Sequence, residues 1–60
     1  MKWKTYSIED KKAVLSKYCY TDYFHEGAYV DAQDSTDTWM VAKVIKLKGT
    51  IMEVNFDGWS

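Results

Sequence analysis

The fold is decided by residues 38–47, which read TWMVAKVIKL. The stretch is rich in β-branched side chains, which suit a pleated and half-buried surface. A tight turn around Gly49 leads into a second such run at residues 50–56, TIMEVNF. Upstream, apolar and polar residues alternate at 29–34, YVDAQD, and a polar turn follows from Ser35. The pattern predicts three antiparallel strands at about 29–34, 38–47 and 50–56.

Strand alternation sorts the side chains of this sheet into two faces. One face is expected to form a close-packed interior from six residues: Val30, Ala32, Ala42, Val44, Met52 and Val54. The reverse face is too apolar for water, because it carries Trp39, Val41, Ile45, Leu47 and Ile51. We therefore expect both faces to be covered.

The cover is predicted to be an N-terminal helix at about residues 8–18. Ser7 is a good N-cap, and Glu9 and Asp10 place carboxylates in the first turn. At helical spacing, four apolar residues form one stripe: Ile8, Val14, Leu15 and Tyr18. Five aromatic side chains are expected to pack between helix and sheet: Tyr18, Tyr20, Tyr23, Phe24 and Trp39.

Length and charge limit the class of protein. Sixty residues make one small domain, 1–60, and 17% aromatic residues are its main resource for a core. Eight Lys plus Arg against nine Asp plus Glu argue against a general phosphate-binding surface. One cysteine forms no internal disulfide, which favours an intracellular location. No signal peptide or membrane-length apolar run is visible, so no membrane partner is expected.

Catalytic and metal-binding patterns are weak. His25 is the only histidine and has no nucleophile at motif spacing, and Cys19 is expected to be a buried structural thiol. Asp31, Asp34 and Asp37 lack the glycine and terminal glutamate of a calcium loop. We therefore predict no enzyme activity, no cofactor and no metal site.

Two spacings resemble a known family. They are Asp34…Trp39-x-x-Ala42-x-Val44 and the ending Val54-x-Phe56-x-Gly58-Trp59. Over about half of the chain, the sequence resembles chromo-barrel, Tudor-knot and MBT-like domains of the Tudor "royal" superfamily. The resemblance implies a mostly β fold with one N-terminal helix, a small SH3-like antiparallel barrel, partial or complete. In the family a closing element follows the second motif, whereas this sequence ends at Ser60. The expectation is either that the sequence is a truncated piece or that the N-terminal helix or a second chain supplies the closure.

The resemblance also implies a function and a site. Readers of this superfamily bind methylated lysine in an aromatic cage, where ring faces attract the weakly hydrated cation. The cage positions correspond here to Asp34, Met40, Phe56 and Trp59, which make an incomplete cage of two rings, a thioether and a carboxylate. The expected function is a non-catalytic recognition module of a larger intracellular protein, nuclear if its ligand is a methylated histone tail.

Two other functions stay open on the sequence. One is a protein–protein scaffold module that binds no methyl-lysine. The other is a nucleic-acid-binding barrel that uses Lys43, Lys46 and Lys48. In either case the third strand, at about 50–56, is expected to have an open edge through which the chain could form a homo-oligomer.

Overall fold

A computed structural model describes residues 3–56 as a single antiparallel sheet of five strands. The strands are β1 (Trp3–Ser7), β2 (Ala13–Leu15), β3 (Tyr29–Gln33), β4 (Trp39–Lys48) and β5 (Ile51–Phe56). Their order across the sheet is β1-β5-β4-β3-β2, and the sheet curls into a half-barrel. The mostly β, barrel-like architecture is confirmed.

The β3–β4–β5 meander lies within two residues of the predicted bounds. Gly49 takes a φ of +60° in the short connection between Lys48 and Ile51, which pair across the two strands. A left-handed backbone of this kind is easiest for glycine. Asp37 takes a φ of +61° in the β3–β4 turn, a conformation that Asp tolerates better than most residues.

The concave face of the half-barrel holds the core. All six residues that alternation assigned to the interior are almost fully buried: Val30, Ala32, Ala42, Val44, Met52 and Val54. Tyr6, Ala13, Ala28 and Phe56 complete the cluster. The period-2 pattern therefore predicted the interior face correctly.

One β-bulge changes the alternation in β4. Val44 pairs with Val54 and Lys46 pairs with Glu53, so Ile45 is an additional residue in β4. Beyond such a bulge the side chains exchange faces. Leu47, assigned to the reverse face by strict alternation, instead packs against the core, and Lys46 faces outward.

The predicted helix at 8–18 is wrong, since residues 3–56 contain no helix. Three side chains in this segment each accept the backbone N–H two residues ahead: Ser7 from Glu9 at 3.3 Å, Asp10 from Lys12 at 3.0 Å and Ser16 from Tyr18 at 3.2 Å. Such local bonds compete with the helical hydrogen-bond ladder. The segment between them forms β2, whose Ala13 pairs with Ala32 and Leu15 with Val30.

Without the helix, the reverse face has no such cover and forms the convex surface of the half-barrel. Trp39 is 49% exposed and Ile51 46%, so the prediction that this face is covered is wrong for these side chains. Of the aromatic residues expected between helix and sheet, Phe24 packs against the core, whereas Tyr18, Tyr20 and Tyr23 are exposed.

The N-terminal segment closes the sheet as a strand. β1 pairs with β5 over its whole length, from Trp3 opposite Asn55 to Ser7 opposite Ile51. The edge of β5 that was expected to be open is therefore occupied, and the edges of the sheet are β1 and β2. Residues 8–12 join these two edges, and a link of that length spans at most about 20 Å, so the sheet must curl.

Among residues 3–56 there is no helix long and apolar enough to span a bilayer.

Candidate functional site

Three of the four predicted cage residues belong to one end of the concave face. Met40 lies opposite Ala32 on β3, and Phe56 lies opposite Ala42 on β4, two residues further along. Asp34 directly follows β3, and its N–H donates to the carbonyl of Thr38 at 3.0 Å. The fourth residue, Trp59, lies outside the described residues.

The carboxylate of Asp34 organises the β3–β4 turn. Its Oδ1 accepts the Thr36 hydroxyl at 2.6 Å, the Thr36 N–H at 2.8 Å and the Thr38 N–H at 3.0 Å. These bonds, the Thr36 hydroxyl first, lower the pKa of Asp34 below its ordinary value of 3.8. Among the hydrogen bonds within residues 3–56, all three that reach this carboxylate end on Oδ1.

The other two described cage residues, Met40 and Phe56, are less exposed to solvent than side chains that line a ligand cage. Phe56 is only 1% exposed and is among the largest fully buried side chains. Met40 is half-buried and packs against the core. Phe56 therefore lies in the core beneath the candidate site, and its ring does not face solvent.

Tyr6 and Lys4 of β1 reach the same end of β3, and sequence reasoning assigned them no role. The Tyr6 hydroxyl donates to the carbonyl of Gln33, and the Lys4 ammonium lies 3.5 Å from that oxygen and 5.1 Å from the Tyr6 ring centre. Burial, and then the charges of Asp34 and Asp10, raise the pKa of Tyr6. The signal that could have located them is the alternation in residues 3–7, where Lys4 and Tyr6 share one face.

The residues dismissed as catalytic lie in the segment between β2 and β3. Cys19 is half-buried, and its Sγ lies 3.4 Å from the Thr21 hydroxyl, whose hydrogen bond lowers the thiol pKa. His25 stacks at a tilt against Tyr23, with 5.2 Å between ring centres. Both line a small depression of about 100 Å³ with Tyr20. Nowhere in residues 3–56 do three His, Cys, Asp or Glu side chains gather as a metal site would require.

The three lysines proposed for nucleic-acid contact all lie exposed on β4. Lys43 pairs with Tyr29 on β3, and its ammonium is 5.9 Å from the centre of that ring. Lys46 pairs with Glu53 and Lys48 with Ile51 on β5. These lysines belong to the convex face, opposite the candidate cage.

The Asp34 turn predicts a specific pH dependence. Because folding lowers the pKa of Asp34, its contribution to stability is present above the unfolded value near 3.8 and is lost as the pH falls through the folded value. Asp34→Asn keeps an oxygen acceptor but does not titrate. We expect the wild type to exceed this variant in urea-unfolding free energy at neutral pH, and the difference to shrink below about pH 4.

Asp37→Asn is the matched control, since it removes a carboxylate from the same turn at a position whose φ suits asparagine. Because Asp37→Asn keeps Asp34, its unfolding free energy should fall at acid pH in the same way as that of the wild type. A difference between wild type and Asp34→Asn that is the same at about pH 7 and pH 2 would show that the Asp34 charge does not organise the turn.

Comparison with protein families, with curated proteins and with solved structures finds no match for this chain.

Proposed function

We propose that this chain is a non-catalytic recognition module, a Tudor-like barrel that binds a lysine-containing protein segment at the β3–β4 end of its concave face. The observation that supports it is the convergence of Asp34, Met40 and Phe56, which strand register brings to that end. These are positions that the family resemblance associates with methyl-lysine recognition.

A methylated lysine is the side chain that this set of residues suits best. Asp34 supplies a carboxylate, which accepts a hydrogen bond from a remaining N–H of a mono- or dimethylammonium. Met40 supplies a polarizable thioether, and Trp59 is the position that the resemblance assigns to a ring face for cation–π attraction. With Phe56 buried, this arrangement favours lower methylation states over the trimethylated one, which has no N–H to donate.

The biological setting follows from the ligand class. A methylated histone tail is the ligand that the family resemblance suggests, which would place the parent protein in the nucleus. In that setting the domain acts as a binding unit of a larger intracellular protein.

Titration with methylated peptides tests this function. Unmethylated, mono-, di- and trimethyl-lysine forms of one peptide are added to the full chain, and tryptophan fluorescence and ¹⁵N amide shifts are recorded. We expect saturable binding of the mono- and dimethyl forms, with amide shifts at Asp34, Thr38 and Met40. Asp34→Asn should remove the preference over trimethyl-lysine, whereas Asp37→Asn should keep it.

Flat signals for every methylated form up to millimolar concentration would reject the reader function. Equal binding of methylated and unmethylated peptides would instead identify the scaffold function, in which the same end of the barrel contacts protein without reading a modification.

A further inference from the structure

The β4 bulge creates a second surface on the opposite side of the sheet. Before the bulge, Ala42 and Val44 face the core; strict alternation would send Lys46 and Lys48 after them. The additional residue at Ile45 turns both lysines outward instead, where they follow Lys43 along the convex face. The bulge therefore brings together three cations that a regular strand would split between two faces.

Two of these lysines, Lys46 and Lys48, border a depression of about 480 Å³ that crosses three strands. It is lined by Thr5 of β1, Ile51 and Glu53 of β5, and Lys46 and Lys48 of β4. Register places Thr5, Glu53 and Lys46 in one row across the sheet, and Ile51 and Lys48 in the next. Ile51 is 46% exposed although it is a large apolar residue.

The lining has an apolar floor and a charged rim. Ile51, the Thr5 methyl group and the alkyl stems of the lysines supply apolar surface, because lysine keeps its stem on such surfaces while its ammonium remains in water. Among the described residues, the rim carries two ammonium groups against the carboxylate of Glu53, and Lys43 lies further along the same face. A ligand that fills this depression needs an apolar group with negative charges beside it.

We propose that this depression docks an acidic segment of a partner protein, which inserts one aliphatic side chain over Ile51 and places carboxylates beside Lys46 and Lys48. Charge complementarity selects the flanking residues, and burial of the aliphatic group supplies the specific contact. The site lies on the convex face, so it is independent of the methyl-lysine site proposed on the concave face.

A nucleic acid fits the same depression less well. Single-stranded nucleic acids bind through stacking on aromatic rings and through many phosphate contacts. None of the described lining residues has an aromatic ring, and Glu53 would repel a phosphate placed among them.

The test uses ¹⁵N amide shifts of the full chain and the peptide acetyl-EDELDED-amide at low salt. Two comparison peptides test the aliphatic contact and the charge contact separately. One has serine in place of leucine, and the other has the neutral sequence NQNLNQN. We expect saturable shifts at Thr5, Lys46 and Ile51 with the first peptide. The serine peptide should bind about tenfold or more weakly, since it loses a buried aliphatic group.

Protein variants with matched charge locate the site. The double variant Lys46→Gln/Lys48→Gln should weaken the acidic peptide by about five- to thirtyfold, the effect of losing two exposed ion pairs. Lys11→Gln/Lys12→Gln removes the same charge from exposed positions on the link between β1 and β2, and should change affinity by less than about twofold. Neither pair alters the core, so amide spectra of the free variants report an intact fold.

Three outcomes would overturn the proposal. They are the absence of saturable shifts at millimolar peptide, equal weakening by the two double variants, and tighter binding of oligothymidylate than of the peptide at the same residues and salt. A failure here leaves methyl-lysine binding unaffected, because Lys46→Gln/Lys48→Gln does not touch Asp34 or Met40. The two sites are therefore tested separately.

Discussion

Phe56→Ala is expected to remove a large part of the protein's free energy of unfolding. Phe56 is 1% exposed and is among the largest fully buried side chains of the core. Removing a buried Phe side chain costs about 3–5 kcal/mol in lost burial and residual cavity. A domain of 60 residues has only about 3–9 kcal/mol of total stability at typical values per residue. Urea unfolding followed by circular dichroism measures the loss.

The control for this experiment is Ile51→Thr on the same strand. Ile51 is partly exposed on the convex face, and threonine retains a β-branched side chain, so a loss of less than about 1 kcal/mol is expected. If Phe56→Ala loses as little as this control, the ring is not part of the core. A small loss of stability with complete loss of methyl-lysine binding would make Phe56 an exposed wall of the cage.

The central meander was predictable because its pattern is local. Alternation in residues 29–34 and 50–56 places Val30, Ala32, Met52 and Val54 on one face, and the structure buries all four. The face of Leu47 was not predictable in the same way. It depends on the additional residue at Ile45, and no turn residue such as glycine marks that position in the sequence.

The N-terminal half was mispredicted because two signals compete in it. Ser7 and Asp10 favour a helix start when read as caps, but the same oxygens serve equally well in turns, which is how the structure uses them. A helix of about eleven residues is marginal without tertiary contacts. Pairing with β3 gives Ala13 and Leu15 burial on the core side that outweighs the local helical preference.

The candidate cage was predictable only as a set of positions. The resemblance to Tudor-like domains suggested Asp34, Met40 and Phe56, and strand register brings these positions to one end of the sheet. How much of these side chains is exposed depends on the other strands of the fold, which the spacing does not describe. Tyr6 arrives from β1 and fills the concave face, which leaves less of it open to a ligand than the spacing alone suggests.

Substitution of Tyr6 should also cause a large loss of unfolding free energy. Two variants separate the contribution of its ring from that of its hydroxyl. Tyr6→Ala removes a buried ring from the core and from β1, the strand that covers the edge of β5, and should cost about 3–5 kcal/mol. Tyr6→Phe keeps the ring and removes only the hydrogen bond to the Gln33 carbonyl, for about 1 kcal/mol. Urea unfolding of the two variants measures both, and equal losses would contradict this division.

The Tyr6→Phe comparison also carries a pH dependence with a definite sign. Folding raises the pKa of Tyr6 above its ordinary value of 10.0, chiefly through burial, so the phenol ionises more readily in the unfolded chain. Its contribution is therefore complete below about pH 10 and is lost as the pH rises toward the folded pKa. The stability advantage of wild type over Tyr6→Phe should be constant near neutrality and shrink above about pH 10. An advantage that persists unchanged to about pH 11 would mean that the hydroxyl ionises as freely in the folded protein, and that Tyr6 does not close the concave face.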